Sequence, residues 1–176
     1  VERNYTTALE MAGKINLYNE ARKDIDKQMT EQAEDLVRHL PDLEQRRAIV
    51  VYNKEWHKGV IGIVASRLTE QYYRPAVVLT ESEGVATGSA RSVSGFDVYK
   101  AVADCSDLLE NFGGHTYAAG LSLKVENVEA FTERFEAYVE KHILDEQTQA
   151  SLEIDAVLDF KDINFGFYKQ LRRFSP

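Results

Sequence analysis

An α/β fold, a mixed β-sheet flanked by helices, is the class this chain predicts, and three observations lead there. Short apolar runs of strand length alternate with stretches whose apolar residues recur at helical spacing. Glycine, proline or small polar residues mark the changes of period. Of the 176 residues, 44% are hydrophobic, which suits one compact core with extensions.

The elements follow in order. Residues from about Thr7 to Leu40 read as one long helix, opened by a T-x-x-E pattern at Thr7 and Glu10. Ala8, Met11, Ile15, Tyr18, Ile25, Met29, Leu36 and Leu40 lay a narrow apolar stripe along a charged rod. Such a stripe suits a connecting helix laid along a partner domain. Pro41 ends it, because the residue before a proline avoids helical geometry. A strand near 47–53, a helix near 58–72 and a strand near 75–80 come next. A strand of small residues near 84–92 and a helix near 95–110 follow, the helix opened by the S-x-x-D pattern of Ser94 and Asp97. Gly113 and Gly114 predict a turn before a strand near 118–125 and a helix from Val128 to His142, lined by Phe131, Phe135, Tyr138 and Val139. Residues 144–151 read as a polar linker, 152–160 as a strand, and 162–174 as a short aromatic helix. The expected division is a connecting helix over 1–44, a substrate-binding domain over 45–145, and a linker with the start of a β-rich module over 146–176.

Three segments carry chemistry. In Phe112-Gly113-Gly114-His115 the glycines admit close approach to the main chain, and a histidine at their edge can donate to an oxyanion or handle protons near neutral pH. In Thr87-Gly88-Ser89-Ala90-Arg91-Ser92 the strand period puts Thr87, Ser89 and Arg91 on one face. Two hydroxyls and a guanidinium fork in a row suit phosphate. In His57-Lys58-Gly59-Val60-Ile61-Gly62 a histidine and a lysine stand where a helix begins and backbone donors are unpaired. Taken singly, each also fits a plainer role: a hairpin with a surface histidine, an edge strand with a solvated arginine, a strand-turn-helix core unit.

Composition narrows the classes. The net charge is −8 and the pI about 5.1, the reverse of the usual nucleic-acid footprint. The acids crowd into two helical stretches, one with Glu20, Asp24, Asp26, Glu31, Glu34 and Asp35, the other with Glu126, Glu129, Glu133, Glu136 and Glu140. Lys54, His57, Lys58, Arg67, Arg74 and Arg91 are left around the motifs, so a local positive cleft with salt-sensitive affinity is expected. No apolar run approaches membrane-spanning length. Cys105 is the single cysteine and reads as a buried small residue. His39, His57, His115 and His142 are dispersed, without metal-ligand spacing, so no metal is expected on this chain.

In this order the segments resemble the DHH-associated domain of the RecJ single-strand DNA exonucleases. The matching pieces are His57-Lys58-Gly59-Val60-Ile61-Gly62 continuing to Leu68, Gly88-Ser89-Ala90-Arg91-Ser92, Gly95-Phe96-Asp97, Cys105-Ser106-Asp107-Leu108-Leu109, Phe112-Gly113-Gly114-His115 and Ala118-Ala119-Gly120-Leu121. Strong coverage runs from about 48 to 143. Asn19-Glu20-Ala21-Arg22, Leu152-Glu153-Ile154-Asp155 and Arg173-Phe174-Ser175-Pro176 match more weakly. A glycine-glycine-histidine alone also occurs in related phosphoesterases and in the tail of alanyl-tRNA synthetases; the ordered combination is the specific signal.

The resemblance implies the nucleic-acid-binding part of a cytoplasmic, monomeric 5′–3′ exonuclease of DNA repair and recombination, with single-stranded DNA as partner. It implies Mn2+ or Mg2+ in the parent enzyme, held by an N-terminal domain whose Asp-His-His run is missing from this sequence. The chain is therefore expected to be a piece of a longer protein, inactive alone. Ser89, Arg91, Gly113, Gly114, His115, His57 and Lys58 are the expected substrate-binding residues, with His115 supporting the phosphate near the scissile bond. Tyr117, Phe96 and Trp56 are candidates for base stacking, a core role being the simpler reading of each. Two other classes remain: a phosphoesterase of short oligonucleotides or nucleotide phosphates, and a non-catalytic interaction module.

Overall fold

The computed structural model describes residues 4–152 and 154–174. Its centre is a five-stranded mixed sheet of order β1-β2-β3-β5-β4. The strands are β1 (Ile49–Tyr52), β2 (Ala76–Ser82), β3 (Val85–Arg91), β4 (Leu109–His115) and β5 (Ala118–Lys124). The helices are α1 (Tyr5–Arg38), α2 (Ile61–Tyr72), α3 (Val98–Asp104), α4 (Val128–His142) and α5 (Phe165–Leu171). β1 and β2 are parallel, joined through α2, and the remaining pairings are antiparallel. No helix among the described residues is long and apolar enough to cross a membrane.

Two apolar layers hold the sheet. On one face Val77 and Leu79 of β2, Ala86 and Ala90 of β3, and Leu121 and Leu123 of β5 pack against Val98 and Val102 of α3 and Phe131, Phe135 and Val139 of α4. Cys105 is buried in this layer, and desolvation pushes its thiol up to about 12. A thiol held neutral in a packed core is a poor nucleophile. Cys105 is thus expected to resist alkylation by iodoacetamide at pH 8 in native protein and to react once the chain is unfolded. Rapid native labelling would show that this layer opens.

On the other face Ile49, Val51, Ala76 and Val78 pack against Val64, Ala65 and Leu68 of α2 and Met29, Ala33 and Val37 of α1. This second layer covers β1 and β2, and α2 also lies against β3. Asp26 of α1, 5% exposed, locks onto α2 through Arg67, whose Nε and Nη2 lie 3.1 and 2.8 Å from its two carboxylate oxygens.

Several expectations are corrected. Asn4, not Thr7, caps α1, its side chain accepting from the Thr7 N–H at 3.3 Å. Along α1 the contact stripe is Met29, Ala33 and Val37, while Met11, Ile15 and Tyr18 are exposed. Asp97, not Ser94, caps α3 and accepts from the Lys100 N–H at 3.2 Å. The helix expected to reach 110 stops at Asp104, and a single 3-10 turn at Ser106–Leu108 leads into β4. Gly113 and Gly114 are therefore not a turn; they lie within an edge strand, paired with Gly120 and Ala119. The described residues of 152–160 form no strand, and a 3-10 turn spans Phe160–Asp162. That segment finds no neighbouring strand among the described residues, and strand character without a partner carries little stability. Glu153, Ser175 and Pro176, which belong to the weaker family matches, lie outside the described residues.

Candidate functional site

The candidate site is the α2-side face of β3, β5 and β4, and register builds it. Directly paired residues in a sheet share a face. Arg91 of β3 pairs with Ala118 of β5, which pairs with His115 of β4; Ser89 pairs with Gly120, and Gly120 with Gly113; Thr87 pairs with Ser122, and Ser122 with Asn111. Three parallel rows result, running from β3, beside the start of α2, out across β5 to the edge strand β4. A Cβ built at Gly113 or Gly120 meets nothing within 4 Å, so the middle row is bare main chain beside Ser89.

Arg91 dominates this face. Its Nη1 donates to Ser89 Oγ at 2.7 Å and to the Ala90 carbonyl at 2.8 Å. Both acceptors are neutral, and Arg91 has no carboxylate partner among the described residues. Burial pulls its pKa below the ordinary guanidinium value, yet an arginine remains charged at neutral pH. The N-terminus of α2 lies against it: a Cβ on Gly62 would stand 2.9 Å from Arg91 Nη2 and 3.2 Å from Ser89 Oγ. Val60 at the start of α2 makes no side-chain cap, so the first N–H groups of that helix have no side-chain acceptor. An uncapped positive helix end beside an unpaired guanidinium is a site with excess positive potential. An anion with several oxygens satisfies both.

His115 is exposed at the end of β4. It stands two strands from Arg91, about 9.5 Å at ordinary strand spacing. Its Nδ1 accepts from the Tyr117 N–H at 3.3 Å. In the neutral ring the proton then sits on Nε2, free to donate outward. His57 is set the same way, with Nδ1 accepting from the Gly59 N–H at 3.1 Å. Lys58 is exposed and forms no ion pair among the described residues. The turn carrying both is anchored by Thr80, whose hydroxyl donates to the Trp56 carbonyl at 2.6 Å. Thr80 pairs with Thr87, so this turn stands at the inner end of the Thr87 row.

Of the residues expected to bind, Ser89 and Arg91 touch each other, and Gly113 and His115 share their face. His57 and Lys58 flank that face from the α2 side. Gly114 belongs to the opposite face, and its role is backbone proximity. Arg67 and Arg74 are withdrawn from the expected cationic set. Arg67 is held by Asp26, and Arg74 Nη1 donates to the Leu43 carbonyl at 2.6 Å. Trp56 and Phe96 are both 4% exposed and belong to the core, and Trp56 Nε1 donates to Gln32 at 2.8 Å. Tyr117 alone of the three stacking candidates is exposed, at 55%. The acids of α4 lie on the layer behind the opposite face, which separates them from Arg91. Asn111, Ser122 and Gly120 carry no role in the sequence reading, because no local pattern reveals cross-strand register.

A family model described as the DHHA1 domain matches residues 45–141. The single-stranded-DNA-specific exonuclease RecJ of Bacillus subtilis (strain 168) is 37% identical over 171 residues, covering 96% of this chain and 22% of that protein. The crystal structure of RecJ from Thermus thermophilus in complex with Mn2+ matches with a TM-score of 0.71 and 30% identity, over 80% of this chain and 20% of that one. Its complex with Mg2+ matches with a TM-score of 0.71 and 29% identity, over 80% and 21% of the two chains. The chain spans between 18% and 31% of the length of the curated relatives it matches.

Proposed function

The chain belongs to the DHHA1 domain family and is a RecJ-type domain of the DHH superfamily; from that premise we propose that it is the nucleic-acid-binding part of a cytoplasmic, monomeric 5′–3′ single-stranded-DNA exonuclease acting in DNA repair and recombination. The observation that carries this reading is Arg91. A half-buried guanidinium with only neutral partners, set against the uncapped end of α2, favours a phosphate. Ser89 orients the fork through its Oγ. The bare Gly113–Gly120 row lets a strand lie against the main chain. His115 donates from Nε2 to a phosphate oxygen near the scissile bond, as electrostatic support and not as the base. Lys58 and His57 line the same groove.

Mn2+ or Mg2+, bound in the Thermus thermophilus RecJ structures, would supply the activated water for phosphodiester hydrolysis. The residues of this chain do not fit that metal: among the described residues no group of three His, Cys, Asp or Glu could hold one. Its ligands belong, in this reading, to a separate N-terminal domain, and no step assigned to this chain passes through it.

The test is fluorescence anisotropy with single-stranded oligonucleotides bearing either a 5′-phosphate or a 5′-hydroxyl, across a salt series, followed by incubation with Mn2+. The 5′-phosphorylated strand is expected to bind more tightly, with affinity falling as salt rises, and to survive the incubation intact. Equal affinity for the two ends would remove the clamp. Robust hydrolysis lost in Arg91→Ala or His115→Ala would refute a binding-only role.

A further inference from the structure

The open face does not end at the arginine row. One step along the sheet beyond Ser89, Gly120 and Gly113 lies the row of Thr87, Ser122 and Asn111. Asn111 is exposed, and Ser122 and Thr87 are half-buried. None of these side chains has a hydrogen-bond partner among the described residues. Two hydroxyls and a carboxamide thus stand side by side on an otherwise bare surface. Asn111 is in unbroken register with Gly113 and His115, so strand alternation alone puts it on this face. The irregularity between Leu109 and Asn111 ends the row there by turning Leu109 back to the core layer, opposite Leu123.

Spacing and charge give this row an occupant. Successive same-face rows on a strand are about 6.7 Å apart, close to the separation of neighbouring phosphates in an extended single strand. The inner end of the row meets the turn of His57 and Lys58, held there by Thr80. Neutral hydroxyls and amides are common phosphate ligands that carry no sequence preference, and a nearby lysine supplies charge. In the Ser89 row itself the bare Gly120–Gly113 floor leaves room for the sugar beside the first phosphate.

We infer that the Thr87–Ser122–Asn111 row is a second phosphate subsite, binding the phosphate next to the one held by Ser89 and Arg91. It rests on the phosphate-clamp reading and deepens it: the chain grips two consecutive phosphates of one strand. Such a face measures a phosphodiester step and not merely a terminal phosphate. It therefore favours an oligonucleotide over a mononucleotide.

The test is a titration followed by 1H–15N NMR, with thymidine 5′-monophosphate and with 5′-phosphorylated dithymidylate. Wild-type chain is expected to bind the dinucleotide about tenfold more tightly, the effect of two added hydrogen bonds. The double variant Ser122→Ala with Asn111→Ala is expected to lose that increment and keep its affinity for the monophosphate. Gly120→Val, whose side chain enters open space on the floor, is expected to weaken the dinucleotide without unfolding the chain. Arg91→Ala is expected to weaken both ligands. A double variant that retains the tenfold increment, while Arg91→Ala still weakens both, overturns the second subsite and leaves the clamp standing. If Arg91→Ala changes neither ligand, the clamp itself is wrong and the subsite falls with it.

Discussion

Arg91→Ala is expected to weaken binding of a 5′-phosphorylated single strand by roughly 10- to 100-fold, the range for losing charge-assisted hydrogen bonds to one phosphate. The chain should nevertheless fold normally. The Arg91 side chain is half-buried beside the start of α2, outside the two apolar layers, and its hydrogen bonds are to the Ser89 hydroxyl, which can turn to water, and to the Ala90 carbonyl. Its melting temperature should stay within a few degrees of wild type. Arg91→Lys separates charge from geometry. A lysine keeps the positive potential beside α2 but lacks the planar fork that Ser89 orients. It should recover part of the affinity and none of the preference for a 5′-phosphate over a 5′-hydroxyl. Anisotropy at fixed salt reads all three proteins. If Arg91→Lys equals wild type on both strands, the site is a diffuse positive patch and the fork has no role.

Gly114→Ala is expected to have the largest effect on stability. A Cβ at this position would lie 2.3 Å from the Ala118 carbonyl oxygen and 2.5 Å from Ala119 Cα. Both are main chain of the partner strand, so no rotamer change relieves the contact; β4 must move off β5. Overpacking of this kind costs about 3 kcal/mol, which lowers the melting temperature of a chain this size by about 6–12 °C. Gly113→Ala is the internal control, because its Cβ points into open space and its cost should be within about 1 kcal/mol. Thermal unfolding of the pair decides the matter. Equal melting temperatures would mean that β4 is not held against β5 as described. The contrast also assigns the two glycines separate work: Gly114 lets β4 sit close to its neighbour, and Gly113 leaves the binding face bare.

The range of each interaction decides how much of it is legible in the sequence. The helices over 61–72 and 128–142 were legible because amphipathic spacing is a property of consecutive residues, as Phe131, Phe135 and Val139 demonstrate. The long α1 was legible as a helix but not in its contacts. Ile15 and Tyr18 look as apolar as Met29, and only the position of α2 decides which of them is covered. The strand expected near 152–160 shows the converse: alternation without a pairing partner does not make a strand.

The same distinction runs through the candidate site. The sequence by itself determined that Ser89 and Arg91 share a face, because side-chain alternation is intrinsic to any strand. It also determined that the motifs at 57–62, 88–92 and 112–115 occur in one order, which is what the family resemblance rests on. Only the tertiary structure decided that β4 is an edge strand, that His115 lies in the Arg91 row, and that the start of α2 is set against Arg91 and Ser89 of β3. It likewise decided that Arg67 is consumed by Asp26 while Arg91 has no acidic partner among the described residues. Register, coverage and ion pairing each join residues far apart in the chain. Their outcome depends on which surfaces are buried together, and local spacing carries no record of that.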